Sequence, residues 1–216
     1  MRPHRHLSVR PASIADSAEI ARVCLLTAYQ GRSAETLVRH PELPAQVQAL
    51  QYLHLPSGFA FVLVKTTEHP ESDSELESRS GSGSGSEEET RGELRLEKER
   101  TESGNIVGYV VGTAEKAQFE REINASWWPT LRTKYSKDLV GTPLDRYFVG
   151  LVHKGPILRP AGSGTAHIHV NVIGKYKKHG YDRILVDVAL HHLRKREKEC
   201  NDRTCLSTTQ IIPSRF

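Results

Sequence analysis

Two histidines two positions apart, three basic residues in a row and a glycine just after them fall within "HIHVNVIGKYKKHGYDRILVDVALHHLR", residues 167–194. An imidazole titrates near neutral pH, so His167 and His169 are candidate proton acceptors. An alternating run that enters a basic, glycine-containing turn and then an amphipathic helix can cradle a phosphate. The first helical N–H groups lack intrahelical acceptors, and the helix dipole favours an anion there. Lys177, Lys178 and His179 add cations, and Gly180 lets the main chain approach a ligand closely. His167 and His169 share a strand face, which is also metal-ligand spacing, but no third ligand is identifiable and no metal is expected.

The elements that must position these groups are legible as patterns. "LSVR" (7–10), "FAFVLVK" (59–65) and "NIVGYVVG" (105–112) read as strands. "SIADSAEIARVCLLTAYQG" reads as a helix with Asp16 as N-cap, Ile20, Val23, Cys24 and Thr27 on one face, and Gly31 as its stop. A weaker helix covers roughly 45–54. From Ala114 to about Tyr135, Phe119, Ile123 and Trp127 follow a helical face until Pro129 interrupts. Residues 141–164, rich in Gly and Pro, read as a loop. In "TAHIHVNVI", Ile168, Val170 and Val172 point one way and His167, His169 and Asn171 the other. Ile184, Leu185, Val188, Ala189 and Leu193 form the apolar stripe of the next helix, and "CLSTTQII" offers one more strand. Strands alternating with helices around a mixed central sheet place the chain in the α/β (α+β) class.

Three segments carry a resemblance: "CLLTAYQG" in the first helix, "IVGYVVGTAEKAQFEREINASWWPTLRTKY" in the middle, and "AHIHVNVIGKYKKHGYDRILVDVAL" toward the end. Together they resemble the GNAT superfamily of acyl-CoA N-acyltransferases, in the branch related to the acetyltransferase-like domain attached to O-GlcNAcase. The resemblance implies a GNAT-like mixed sheet flanked by helices, acetyl-CoA as co-substrate and an amine acceptor as partner. It covers most of residues 7–195 outside an insertion, so residues 1–216 read as a single GNAT-like domain.

In that family the turn reads Gln/Arg-x-x-Gly-x-Gly/Ala and holds the cofactor pyrophosphate. Here it reads Lys177-Lys178-His179-Gly180-Tyr181-Asp182. A cation is kept at Lys177 and Gly180 is in place, but Asp182 stands where Gly or Ala is expected. Unit charges about 5 Å apart repel by roughly 3 kcal/mol at an effective dielectric near 20, about two orders of magnitude in affinity. The resemblance also implies that main-chain amides near Val172 and Ile173 meet pantetheine and the acyl carbonyl, and that His169 or a water accepts the amine proton. After the last long helix one candidate strand precedes Phe216, so the C-terminal part reads as incomplete against the family. The sheet edge left exposed is a route to self-association.

Charge and composition narrow the alternatives. Between Glu71 and Ser103 eleven acidic residues face five basic ones, while the whole chain carries +4, so the rest carries +10. A basic folded part favours an anionic partner. The basic residues lack interleaved aromatics and no helix-turn-helix or finger pattern is present, so nucleic acid is not expected. The Gly-Ser repeats and dense charge of about 68–103 predict a disordered acidic insertion. No apolar run approaches the roughly 18 residues of a membrane span. Cys24, Cys200 and Cys205 fit no zinc or disulfide spacing, and the basic N-terminus lacks an apolar leader. A cytoplasmic or nuclear compartment is therefore expected. Two functions remain: an acetyl-CoA-dependent N-acetyltransferase acting on an amine of a small molecule or protein, or a non-catalytic binding or scaffolding module of the same fold.

Overall fold

In the computed structural model, residues 7–65, 106–154, 166–177, 179–201 and 210–211 are described. The acidic insertion, Lys178, Cys205 and the side chain of Cys200 lie outside the described residues. Five strands run in the order β1 (Leu7–Pro11), β2 (Gly58–Lys65), β3 (Ile106–Thr113), β4 (His167–Val172) and β5 (Gln210–Ile211). The first four are antiparallel neighbours, and β5 lies parallel to β4. The fold is thus mixed α/β, with an antiparallel sheet flanked by helices.

β2 and β3 read as continuous apolar runs because helices cover both faces of the sheet. On one face lie α1 (Ser17–Leu25), α2 (Leu43–Gln48), α3 (Leu50–His54) and α4 (Lys116–Glu122), packed around Ile20, Val23, Val62, Tyr109 and Phe119. On the other face α8 (Tyr181–Asn201) sets Leu185, Ala189 and Leu193 against Val110, Ile168 and Val172. Burying a leucine side chain of this kind contributes about 2 kcal/mol. A third cluster joins α2 to α5 (Trp128–Lys134) and α6 (Pro143–His153) through Leu43, Leu131, Tyr135, Phe148 and Val152.

Several boundaries differ from the sequence reading. Asp16 stands at the N-cap position of α1, as expected, but its side chain makes no capping bond to that helix. It is the third residue of a short 3-10 turn (Ile14–Asp16), and its carboxylate accepts from Ser13 N–H at 2.7 Å and from both Arg10 guanidinium nitrogens at 2.9 and 2.7 Å. α1 stops at Leu25, well before Gly31: Thr27 N–H turns to Cys24 O at 3.0 Å, three residues back, and the chain leaves the helix. The predicted helix over 45–54 is two helices broken at Ala49, whose φ of −135° is not helical.

Pro129 does not end the helix before it. Its ring cannot follow an ordinary turn, so the chain widens over Ile123–Trp127 and Trp128 N–H donates to Ile123 O, five residues back. Residues 141–164 are not all loop, since α6 lies within them. Its start is a capping box: Thr142 Oγ accepts from Asp145 N–H at 3.1 Å, Asp145 accepts from Thr142 N–H at 2.7 Å, and Pro143 occupies the first turn. Thr-Pro-x-Asp was a legible start signal that glycine and proline content outweighed. Among the described residues no helix is long and apolar enough to cross a membrane.

Candidate functional site

The alternation in β4 sends its two faces to different neighbourhoods, as expected. Ile168 and Val172 pack under α8, while His167, His169 and Asn171 face the helices on the other side. There the Tyr52 hydroxyl meets His167 Nε2 at 2.5 Å, and the Tyr52 ring stacks on Phe119 with centroids 4.4 Å apart. His169 lies 5.6 Å from the Tyr52 ring and 5.5 Å from that of His167. One step along the strand, Asn171 Nδ2 donates to Tyr109 OH at 2.6 Å. Antiparallel pairing brings this about, because Tyr109 and Asn171 are directly opposite each other in register.

These groups are held in defined protonation states. Burial, then the charge of Lys116, lowers the His169 pKa to about 4, so its imidazole is neutral at pH 7. Burial, reinforced by the Glu120 charge, raises the Tyr52 pKa and keeps the phenol protonated. Burial pushes the Cys24 thiol up to about 12 despite its bond to Tyr109, which removes it as a nucleophile at neutral pH. No three His, Cys, Asp or Glu side chains converge as metal donors among the described residues.

The turn after β4 is a short helix, α7 (Gly174–Lys177), followed by Gly180 at φ +73°. A side chain there would be strained, which accounts for the glycine. Among the described residues the space around it is open: a Cβ on Gly180 would meet no atom of theirs within 4 Å, its chain neighbours aside. The amides of the turn do not all face that space. His179 N–H donates to Tyr176 O at 3.1 Å and Gly180 N–H to Lys177 O at 3.3 Å. Arg183 and Ile184 N–H both return to Gly180 O, at 3.1 and 3.3 Å. Tyr181 and Asp182 open α8, and among the described residues no main-chain acceptor takes their first-turn N–H groups.

The two amides expected at the end of β4 separate. Ile173 N–H is committed to Val107 O at 2.9 Å, which corrects its expected place among the acyl-binding donors. Amides alternate in direction along an antiparallel strand, so Val172 turns its N–H to the opposite edge. On that edge, among the described residues, β5 pairs with β4 only at His167 and Ile168.

Lys177, His179 and Asp182 are exposed, and Tyr181 is half-buried beside His179, ring centroids 6.1 Å apart. Ile184, placed on the apolar stripe by its spacing, is 44% exposed one turn into α8. His192 on α8 packs on Phe59 and Phe61 with ring centroids at 4.7 and 5.4 Å. Sequence reasoning missed Tyr52, which no local pattern ties to β4. It read Gly31 only as a helix stop, although Lys177 Nζ lies 2.7 Å from where a Gly31 Cβ would stand.

No family model matches the chain. Among solved structures it is similar to the crystal structure of a protein called SsHAT, at 25% sequence identity over 88% of this chain and 78% of that one, with a TM-score of 0.62.

Proposed function

We propose that this chain, which shares an acetyltransferase-like fold with SsHAT, is an acetyl-CoA-dependent N-acetyltransferase acting on an amine. The observation that carries the reading is the end of β4. One edge is taken by β3, the Val172 N–H turns toward the other, and the chain then passes through a basic turn to the N-terminus of α8. The finer likeness, to the branch attached to O-GlcNAcase, belongs to the same proposal and rests on residues 24–31, 106–135 and 166–190.

The residues present fit a diphosphate in part. Lys177 and His179 supply positive or protonatable groups, and Tyr181 and Asp182 supply helix N–H donors. Lys178 is included on its sequence position alone, and Asp182 opposes the anion with its charge. Val172 N–H is the main-chain donor aimed away from β3, where it would polarise a thioester carbonyl. The amine nitrogen attacks that carbon, the C–N bond forms, the C–S bond breaks, and the sulfur leaves as thiolate. The amine's proton passes to a base or to water. His169, neutral with a pKa near 4, serves as hydrogen-bond acceptor for the amine or for a relaying water rather than as a strong base.

Isothermal titration with acetyl-CoA tests the first requirement, and mass spectrometry of an amine panel incubated with acetyl-CoA tests the second. Saturable binding and a 42-dalton product gain (about the mass of an added acetyl group less one hydrogen) are expected, by the bond changes just described. Absence of heat at millimolar ligand overturns the reading. A second reading, a non-catalytic module of the same fold, is favoured by Asp182 and by the inward-turned His179 and Gly180 amides. It predicts binding of a partner without product.

A further inference from the structure

We propose that the Tyr29–Arg32 turn is a built seat for Lys177: Gly31, left-handed and lacking a side chain, lets the lysine ammonium lie across it and so fixes one cation of the phosphate-binding turn. This inference rests on the proposed acetyl-CoA binding and assigns Gly31 a positioning role in it.

The turn is a closed two-residue reversal. Tyr29 N–H donates to Arg32 O at 3.1 Å, and Arg32 N–H donates to Tyr29 O at 2.8 Å. Gln30 and Gly31, its central residues, have φ of +51° and +77°, as a tight primed turn requires. Gln30 is the only non-glycine residue with positive φ among the described residues. Such a conformation persists only where the surroundings over-determine it. Here they do: Gly31 N–H donates to Thr27 O at 3.1 Å, Ala34 N–H donates to Leu25 O at 2.9 Å, and buried Thr27 is tied to Val23 O.

Into this fixed turn reaches Lys177, the last residue of α7, with Nζ 2.7 Å from the position of a Gly31 Cβ. Among the described residues no carboxylate pairs with that ammonium. A lysine is ordinarily a flexible point charge that loses rotamer freedom when it meets an anion. Lys177 is exposed, and its close approach to Gly31 is what would narrow the positions of the ammonium before any ligand arrives, raising affinity by preorganisation. Any side chain at position 31 would meet the Lys177 ammonium and displace it from the turn.

The test is a double-mutant cycle read by titration with acetyl-CoA and with S-acetylpantetheine, which lacks the diphosphate. Gly31→Asn is the main variant, because asparagine tolerates positive φ while still filling the seat. Gly31→Ala adds backbone strain, and thermal unfolding of each variant reports whether the fold survives. Expected are about ten-fold weaker acetyl-CoA binding for Gly31→Asn and for Lys177→Ala, and a double variant no weaker than Lys177→Ala alone. Affinity for S-acetylpantetheine should not move. Additive losses, or equal losses with both ligands, overturn the seat while leaving the acetyltransferase reading intact. If the wild-type chain binds neither ligand, the parent reading falls and this inference falls with it.

Discussion

The Tyr52 hydroxyl and His167 Nε2 share a hydrogen bond of 2.5 Å across 115 positions of sequence, joining α3 to the first residue of β4. Two close approaches of backbone hold this pair in place. A Cβ on Gly58 would fall on the Tyr52 carbonyl oxygen, and one on Gly112 would fall on the His167 carbonyl oxygen. Tyr52→Phe leaves His167 buried without that partner. It should lower stability by about 1–2 kcal/mol in urea unfolding. A loss below the error of the measurement would count against the bond's importance.

Glycine at 112 has a steric reason that alanine cannot meet, since the colliding atom is backbone. Gly112→Ala must push β4 away from β3, at about 1–3 kcal/mol. The same variant should broaden amide resonances of His167 and Ile168 in a nitrogen-edited NMR spectrum. A wild-type stability and spectrum would show that the strands separate more easily than their packing implies.

Asp145 is fully buried and accepts four hydrogen bonds, from Thr142 N–H and Oγ, Arg39 N–H and His40 N–H, at 2.7, 2.9, 2.9 and 3.2 Å. It caps α6 and welds that helix to the chain before α2. Asp145→Ala strands those donors and should destabilise by about 3 kcal/mol, whereas Asp145→Asn, which keeps one acceptor, should lose less. Denaturant titration of both variants gives the order, and the reverse order would refute the weld.

His169 makes stability depend on pH. Its folded pKa, near 4, lies below the ordinary value of 6.5, so between those values the unfolded chain binds more protons. Stability is therefore highest above pH 6.5 and falls as pH drops toward 4, by up to about 3 kcal/mol. His169→Gln should flatten that slope. Asp16 acts lower: Arg10 holds its carboxylate below the usual range, so its contribution is present above pH 3.8 and is lost as pH falls through the lowered value. A slope unchanged by His169→Gln would place the titration elsewhere.

Asp182 separates the two functional readings. Removing its charge with Asp182→Asn should tighten acetyl-CoA binding severalfold, about ten-fold at most because the side chain is exposed and water screens it. Raising the salt concentration should shrink the difference between the two proteins. Equal affinities at low salt favour the non-catalytic module.

Local order was legible in the chain wherever neighbours in sequence decide it. The alternation of His167 to Val172 is enough to divide the strand's faces, because side chains alternate whatever the strand meets. Gly180 marked a backbone that other residues resist, and its φ of +73° agrees. Composition misled where capping outvoted it, as at Thr142 and Asp145, and where a widened turn carried the chain past Pro129. The tertiary structure alone decided which amides remain for a ligand. Ile173 lost its N–H to Val107 through strand register, while Val172 kept the opposite direction. It alone also set Tyr52 against His167 and Lys177 across Gly31. Contacts between distant segments arise from packing and register, which a run of neighbouring residues does not encode on its own.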